Sequence, residues 1–291
     1  MSQRRELPPR GTTHVLGVLN LTPDSFSDGG RFVRAADTGE TLDVPALLAA
    51  ARDLVARGAA VLDLGAMSTR PGSAPIPPAQ EWARLAPVWG ELRAAVDVPL
   101  SLDTSSAFVL RAALAAGGVD LLNDVSALAD DPELAALVAR EELPVVLMHR
   151  RGTPATMQAA PSYVDAPAEV LAELQARVDA ALAAGIARQR ILLDPGLGFG
   201  KRLQDNVALL AALRRFTATG LRCVVGASRK SFLGALTGRD VAAREHATTA
   251  TTVLAALAEV DFVRVHDVAA AADALAVVCA VRAAGGVVPT S

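Results

Sequence analysis

ILLDPGLGFGK, running from Ile191 to Lys201, changes character abruptly after three apolar residues. The run is too short for a helix and too apolar for a strand with one wet face. It reads as a strand buried on both faces of a parallel sheet. The strand ends in Asp194 and opens into a loop with three glycines. The loop is no Walker motif, because GxxxxGK[ST] is absent. Its glycines let the backbone turn sharply and approach a ligand closely.

The same form recurs along the chain, as HVLGVLN (14–20), AVLDLGA (60–66), LSLDT (100–104), DLLNDVS (120–126), PVVLMH (144–149), CVVGAS (223–228) and FVRVHD (262–267). Segments of helical spacing lie between these runs. VPALLAAARDLVARG puts Leu47, Leu48, Leu54 and Val55 on one face and stops at Gly58. PAEVLAELQARVDAALAAG stops likewise at Gly185, and EHATTATTVLAALAE and DVAAAADALAVVCAVRAAG supply the last two helices. Eight strands alternating with eight helices predict an α/β fold, a single (β/α)8 TIM barrel. A doubly wound open sheet is the alternative, but no GxGxxG follows the first strand. The expected division is an N-terminal extension over 1–13, the barrel over 14–284 and a C-terminal tail over 285–291.

Composition narrows the function. Net charge is −3 over 291 residues, with 52% apolar residues and few aromatics (7 Phe, 2 Trp, 1 Tyr). Such a chain lacks the basic stacking surface that nucleic acid requires. No apolar run is long enough to span a membrane, and MSQRRELPPR has no apolar h-region, so a cytoplasmic protein is expected. Cys223 and Cys279 show no metal spacing and are expected to be buried and reduced.

In a barrel of this kind the chemistry lies at the C-terminal ends of the strands. There the sequence places Asn20, Thr69 and Arg70, Asp103, Asn123 and Asp124, Met148 and His149, Asp194, Lys230, and Arg264 with His266. Asp43 and Asp130 read better as helix caps, and Asp267 as a cap of the last helix. His149 is balanced between a satisfied buried histidine and a site residue, while His14 and His246 read as structural. Asp103, Asn123 and Asp194 sit in apolar strands, where an unpaired carboxylate costs several kcal/mol. Together they form an acceptor-rich set suited to a flat heterocycle bearing amide and amine groups. Arg70, Arg264 and His266 form a cationic set suited to phosphate or pyrophosphate. Asn20 offers an amide oxygen to a Mg²⁺ that would arrive with the phosphates.

Taken in order, GVLNLTPDSFSDGG, STRPGS, LDT, NDVS, LMH, RGTPATMQ, DPGLGFGK, SRKSFLG and RVHDV resemble the blocks of dihydropteroate synthase, covering about residues 14–270. The resemblance implies a barrel enzyme, a homodimer with mobile loops after strands one and two. It would join 6-hydroxymethyl-7,8-dihydropterin pyrophosphate to 4-aminobenzoate, releasing pyrophosphate and 7,8-dihydropteroate. It further implies that Asp103, Asn123, Asp194 and Lys230 hold the pterin, with Arg229 stacked on its ring and Met148 nearby. Asn20 would bind Mg²⁺, and Asn20, Arg70, Arg264 and His266 the pyrophosphate. Thr69, Pro71, Phe199, Ser228 and Lys230 would border the aminobenzoate, joined by Phe26 and Asp28 from the first loop. Asp103, Lys230, Arg264 and His266 would carry the catalysis. By the same resemblance the C–O bond breaks early, leaving a resonance-stabilised pterin cation for the aromatic amine to attack.

Two blocks depart from the family pattern. GAMSTRPG replaces the usual GGESTRPG, putting Ala66 for Gly and Met67 for Glu, and Arg150 stands where Met is common and is expected to face solvent. Two other readings differ in class: a methyltetrahydrofolate-binding methyltransferase domain, and a non-catalytic pterin-binding paralogue. The first would lack the RVHD and SRK blocks. Intact Asn20, Arg70, Lys230, Arg264 and His266 argue against the second.

Overall fold

The computed structural model describes residues 4–22, 32–36, 39–68 and 72–286. Eight parallel strands close into a barrel: β1 (His14–Asn20), β4 (Ala59–Gly65), β5 (Leu100–Asp103), β6 (Leu121–Asp124), β7 (Val145–Met148), β8 (Ile191–Asp194), β9 (Arg222–Val225) and β10 (Phe262–Val265). Closure comes from β1, which pairs with β4 on one side and with β10 on the other. Each strand falls within about a residue or two of its expected position. An antiparallel hairpin, β2 (Val33–Ala36) with β3 (Gly39–Leu42), lies between β1 and the first long helix and was not foreseen.

Two apolar layers result from the twofold alternation of strand side chains. The outward layer packs under the helices and includes Leu62, Leu64, Leu102, Leu122, Leu147, Leu193 and Val263. The inward layer is a separate cluster of Leu16, Val61, Leu121, Val146, Leu192, Val224 and Phe262, one residue from each of seven strands. Leu7 packs against this cluster from the N-terminal segment. That segment is fastened below the barrel, where the Arg5 backbone N–H donates to Asp120 Oδ1 at 2.7 Å and the Arg5 side chain donates to Val98 O at 2.8 Å. Arg93 pairs with the same buried Asp120.

Two of the three expected caps start their helices. Asp43 accepts from Ala46 N at 3.0 Å to start Val44–Ala56, and Asp267 accepts from Ala270 N at 3.1 Å to start Val268–Ala283. Asp130 is no cap. Its carboxylate receives Arg150, and Glu133 occupies the cap position of Leu134–Arg140. The same pair corrects the expectation for Arg150, whose side chain is only 9% exposed because it lies down on Asp130. Cys279 is also corrected: it is a free thiol on the exposed side of the last helix, whereas Cys223 is buried as expected.

Candidate active site

Two residues above the inward apolar cluster, the barrel interior turns polar. Val61 is followed by Asp63, Leu121 by Asn123, Val146 by Met148, Leu192 by Asp194 and Phe262 by Arg264. Asp103 lies opposite Asn123 in register, and Met148 opposite Asp194. The strands are therefore dry at one end and wet at the other, and the polar residues converge by the same alternation that fills the core.

A charged group bridges this layer. Arg264 donates from Nε to Asp63 Oδ2 at 2.7 Å and from Nη2 to Asp103 Oδ2 at 2.9 Å. Asn123 Nδ2 donates to the same Asp63 oxygen at 3.2 Å. Burial pushes the Asp103 carboxyl up to about 7, against the pull of Arg264 and with the help of the neighbouring Asp63 charge. Removing one partner from a buried ion pair costs roughly 3–5 kcal/mol, so the three groups stand or fall together.

On β8, Asp194 accepts the Gly196 N–H at 2.7 Å, and burial raises its carboxyl above the usual range. The loop beyond depends on its glycines. A Cβ at Gly196 would lie 1.9 Å from the His149 carbonyl oxygen, and one at Gly198 2.9 Å from Lys230 Cδ, both at positive φ. Lys201, 4% exposed, holds this loop from beneath. Its ammonium donates to His149 Nδ1 at 3.0 Å, Phe199 O at 3.0 Å and His149 O at 3.3 Å. His149 Nε2 in turn faces Glu173 at 2.9 Å. This resolves the balance at His149. Burial beside Lys201 holds its imidazole down to about 4, so it is a neutral, fully bonded support of the loop.

The turn after β9 carries Ser228, Arg229 and Lys230. Arg229 adopts φ +58, a strained conformation for a residue with a side chain. Its backbone N–H donates to Thr248 Oγ1 at 3.1 Å and its carbonyl accepts Arg244 Nη1 at 3.0 Å. The turn sends Lys230 across to the loop after β8, where Nζ donates to Leu197 O and lies 4.5 Å from the centre of the Phe199 ring. Burial brings the Lys230 ammonium down to about 8, with Asp194 opposing. Ser228 Oγ accepts the His266 backbone N–H at 3.2 Å and lies 2.9 Å from His266 Nδ1. Two contacts with one serine thus fix the orientation of the His266 ring.

Asn20, Asp103, Asn123, Met148, Asp194, Phe199, Ser228, Arg229, Lys230, Arg264 and His266 thus all sit at the strand ends or in the loops that follow them. Phe26, Asp28, Thr69, Arg70 and Pro71 lie outside the described residues. Asp124, whose carboxylate is taken up by Ser126 N and Leu128 N at 2.8 and 2.6 Å, braces its own loop. Sequence reasoning missed Asp63, Lys201 and Thr248. Alternation along AVLDLGA would have found Asp63, which is two residues beyond inward-facing Val61. Nothing local marks Thr248. Of the two departures from the family pattern, Ala66 is fully buried and accepts Arg84 Nη1 at 3.0 Å through its carbonyl, while Met67 is half-buried beside it.

A model of the family described as "Pterin binding enzyme" matches residues 16–266. The dihydropteroate synthase of Neisseria meningitidis serogroup C is 46% identical over 263 residues, 90% of each chain. The chain belongs to the dihydropteroate synthase family. The dihydropteroate synthase of Yersinia pestis, solved in complex with a sulfonamide drug, superposes with a TM-score of 0.87 at 38% identity, covering 94% of this chain and 95% of that one. That of Xanthomonas albilineans with 4-aminobenzoic acid gives 0.83 at 44% identity, covering 94% of each. As a dihydropteroate synthase the chain is a transferase, and the strand-end residues described above lie where a barrel enzyme keeps its chemistry.

Proposed function

We propose that the barrel mouth binds 6-hydroxymethyl-7,8-dihydropterin pyrophosphate and 4-aminobenzoate and joins them through the residues just described. The observation that carries these roles is the meeting of two chemically distinct groups in one layer. Asp103, Asn123 and Asp194 offer acceptors to the amine and amide edge of a pterin, and Lys230 lies beside them. Arg264 and the His266 ring offer donors to a diphosphate. Met148 is the apolar floor beside Asp194, and Arg229 stands at the mouth where its guanidinium can stack on the ring. Phe199 and Ser228 border the aminobenzoate, with Thr69, Pro71, Phe26 and Asp28 assigned to the same pocket and Arg70 to the diphosphate.

The reaction exchanges one bond for another. The C–O bond between the pterin methylene and the diphosphate breaks, and its electron pair leaves with the pyrophosphate toward Arg264 and His266. The amine nitrogen of 4-aminobenzoate bonds to the same carbon and then releases a proton. Asp103 and Asp194 offset the positive charge that builds on the pterin as the leaving group departs. No side chain forms a covalent intermediate.

The donor set fits Mg²⁺ in one way. Asn20, at the end of β1, supplies a neutral amide oxygen, and among the described residues there is no cluster of three His, Cys, Asp or Glu that could hold a metal by itself. A hard ion held by Asn20 would need further oxygen ligands from substrate phosphates and water. When bound it neutralises charge on the departing diphosphate.

We assign the protein to the cytoplasm as a homodimer. Among the described residues no helix is long and apolar enough to cross a membrane, and Leu254, Val277 and Val281 on the last two long helices are exposed apolar residues available for pairing. The test of the reaction is pyrophosphate release with Mg²⁺ and the pterin pyrophosphate, with and without 4-aminobenzoate, following dihydropteroate in parallel. Amine-dependent product supports the assignment. Tight pterin binding without product would overturn it.

A further inference from the structure

The geometry points to Asp63 as a positioning residue that locks the diphosphate-binding and pterin-binding halves of the site to one another; the inference rests on the synthase reading. Asp63 is fully buried, two residues above Val61 inside the barrel, and touches no surface a substrate can reach directly. A single oxygen, Oδ2, receives Arg264 Nε from β10 and Asn123 Nδ2 from β6. Its other oxygen has no hydrogen-bond partner among the described residues. An unsatisfied buried carboxylate oxygen is expensive, so a core position carrying one calls for a reason beyond packing.

The reason lies in what the two bonds leave open. Arg264 spends Nε on Asp63 and Nη2 on Asp103, which fixes the plane of the guanidinium and leaves Nη1 without a hydrogen bond to any described residue. Nη1 is the edge available to an anion. Asn123 is committed through Nδ2, so its amide is oriented with Oδ1 as the remaining acceptor. One carboxylate thereby sets a donor for the diphosphate and an acceptor for the heterocycle. Lys or Arg at position 63 would repel Arg264. Asn can set its amide oxygen at the Oδ2 position and accept both bonds, but it lacks the charge that holds the Arg264 guanidinium in place.

The test is kinetic and uses the full chain. Asp63→Asn is expected to lower kcat/KM for the pterin pyrophosphate by about thirtyfold or more, chiefly by raising its KM, with KM for 4-aminobenzoate within about twofold. A smaller folded fraction alone would lower kcat and leave both KM values unchanged. In an Arg264→Met background the same change is expected to cost under about fivefold, because the residue acts largely through Arg264. Asp63→Asn within about twofold of wild type, or an equal cost in both backgrounds, would overturn the proposal. If Asp63→Asn alone does not fold, the comparison of Arg264→Met with the double variant decides. That pair removes the buried charge together with its partner; a cost under about fivefold supports the proposal and one of about thirtyfold overturns it. Wild-type protein that makes no dihydropteroate would overturn the synthase reading itself, which separates that failure from this one.

Discussion

The Lys230 ammonium lies 4.5 Å from the centre of the Phe199 ring, so the turn after β9 rests on the loop after β8. One side chain is assigned to the pterin and the other to the aminobenzoate, and a contact of this type is worth roughly 0.5–2 kcal/mol. Phe199→Leu is expected to raise KM for 4-aminobenzoate about tenfold while leaving KM for the pterin pyrophosphate within about threefold, as measured by steady-state kinetics with each substrate varied in turn.

Asp103 should set an acidic limb. Its carboxyl is held up at about 7 by burial, with Arg264 opposing and Asp63 assisting. If the ionised form is the active one, kcat/KM falls as pH drops below about 7, and Asp103→Asn removes that limb along with most activity. Stability follows the opposite course. Between the unfolded value near 4 and the folded value near 7 the native state binds a proton that the unfolded chain has released. Wild-type stability relative to Asp103→Asn therefore declines as pH rises through that window and levels off above it. Melting temperatures of both proteins from pH 4.5 to 8 read this directly.

Gly198→Ala combines two costs. The new Cβ meets Lys230 Cδ at 2.9 Å, and φ at this position is +82. The lysine chain is flexible and can move aside, but it then leaves Leu197 O and Phe199. The variant is expected to fold, to lose about 1–2 kcal/mol of stability in denaturant titration, and to lose activity about tenfold or more.

Arg229→Gly separates strain from use. Glycine adopts φ +58 freely, so the variant should melt no lower than wild type although it loses the ion pair with Glu245. Pterin affinity should weaken about tenfold through loss of the stacking guanidinium. A matching fall in melting temperature would show that the side chain serves the fold.

Sulfonamides present an aniline and an acidic sulfonyl group of the same outline as 4-aminobenzoate. Competitive inhibition against 4-aminobenzoate, with no competition against the pterin pyrophosphate at saturating amine, is the expected pattern. Competition against the pterin instead would move the aminobenzoate assignment away from Phe199 and Ser228.

The barrel was legible because two-sided burial leaves a mark on every strand. ILLD, VVLM and LSLD are short, apolar and abruptly ended, and each is a strand of the closed sheet. The site was legible wherever a polar residue stood last in such a run, as Asp103, Asp194 and Asn20 do. It was hidden where a polar residue sat one step back. Asp63 is followed by Leu64 and Gly65, so it reads as an interruption in a strand until alternation is counted from Val61. Lys201 was hidden for another reason. A lysine at the end of a glycine-rich loop looks exposed, and only the fold shows it turned under the loop against His149. Thr248 supports Arg229 from a helix 19 residues away in sequence, a separation no local pattern encodes. The hairpin at β2 and β3 lacks the apolar run that announced the other strands.

The seam between β1 and β10 joins the two ends of the chain, and Thr13 Oγ1 donates to Val260 O across 247 residues. At a translation rate of about 5–20 residues per second, the first strand leaves the ribosome roughly 12–50 seconds before its neighbour exists. Throughout that interval the nascent sheet has an open edge made of HVLGVLN, whose Val15, Leu16, Val18 and Leu19 are all buried in the finished barrel. The last strand is therefore the latch, and the yield of protein in a cell should depend on what shields that edge during synthesis more than on the stability of the finished barrel.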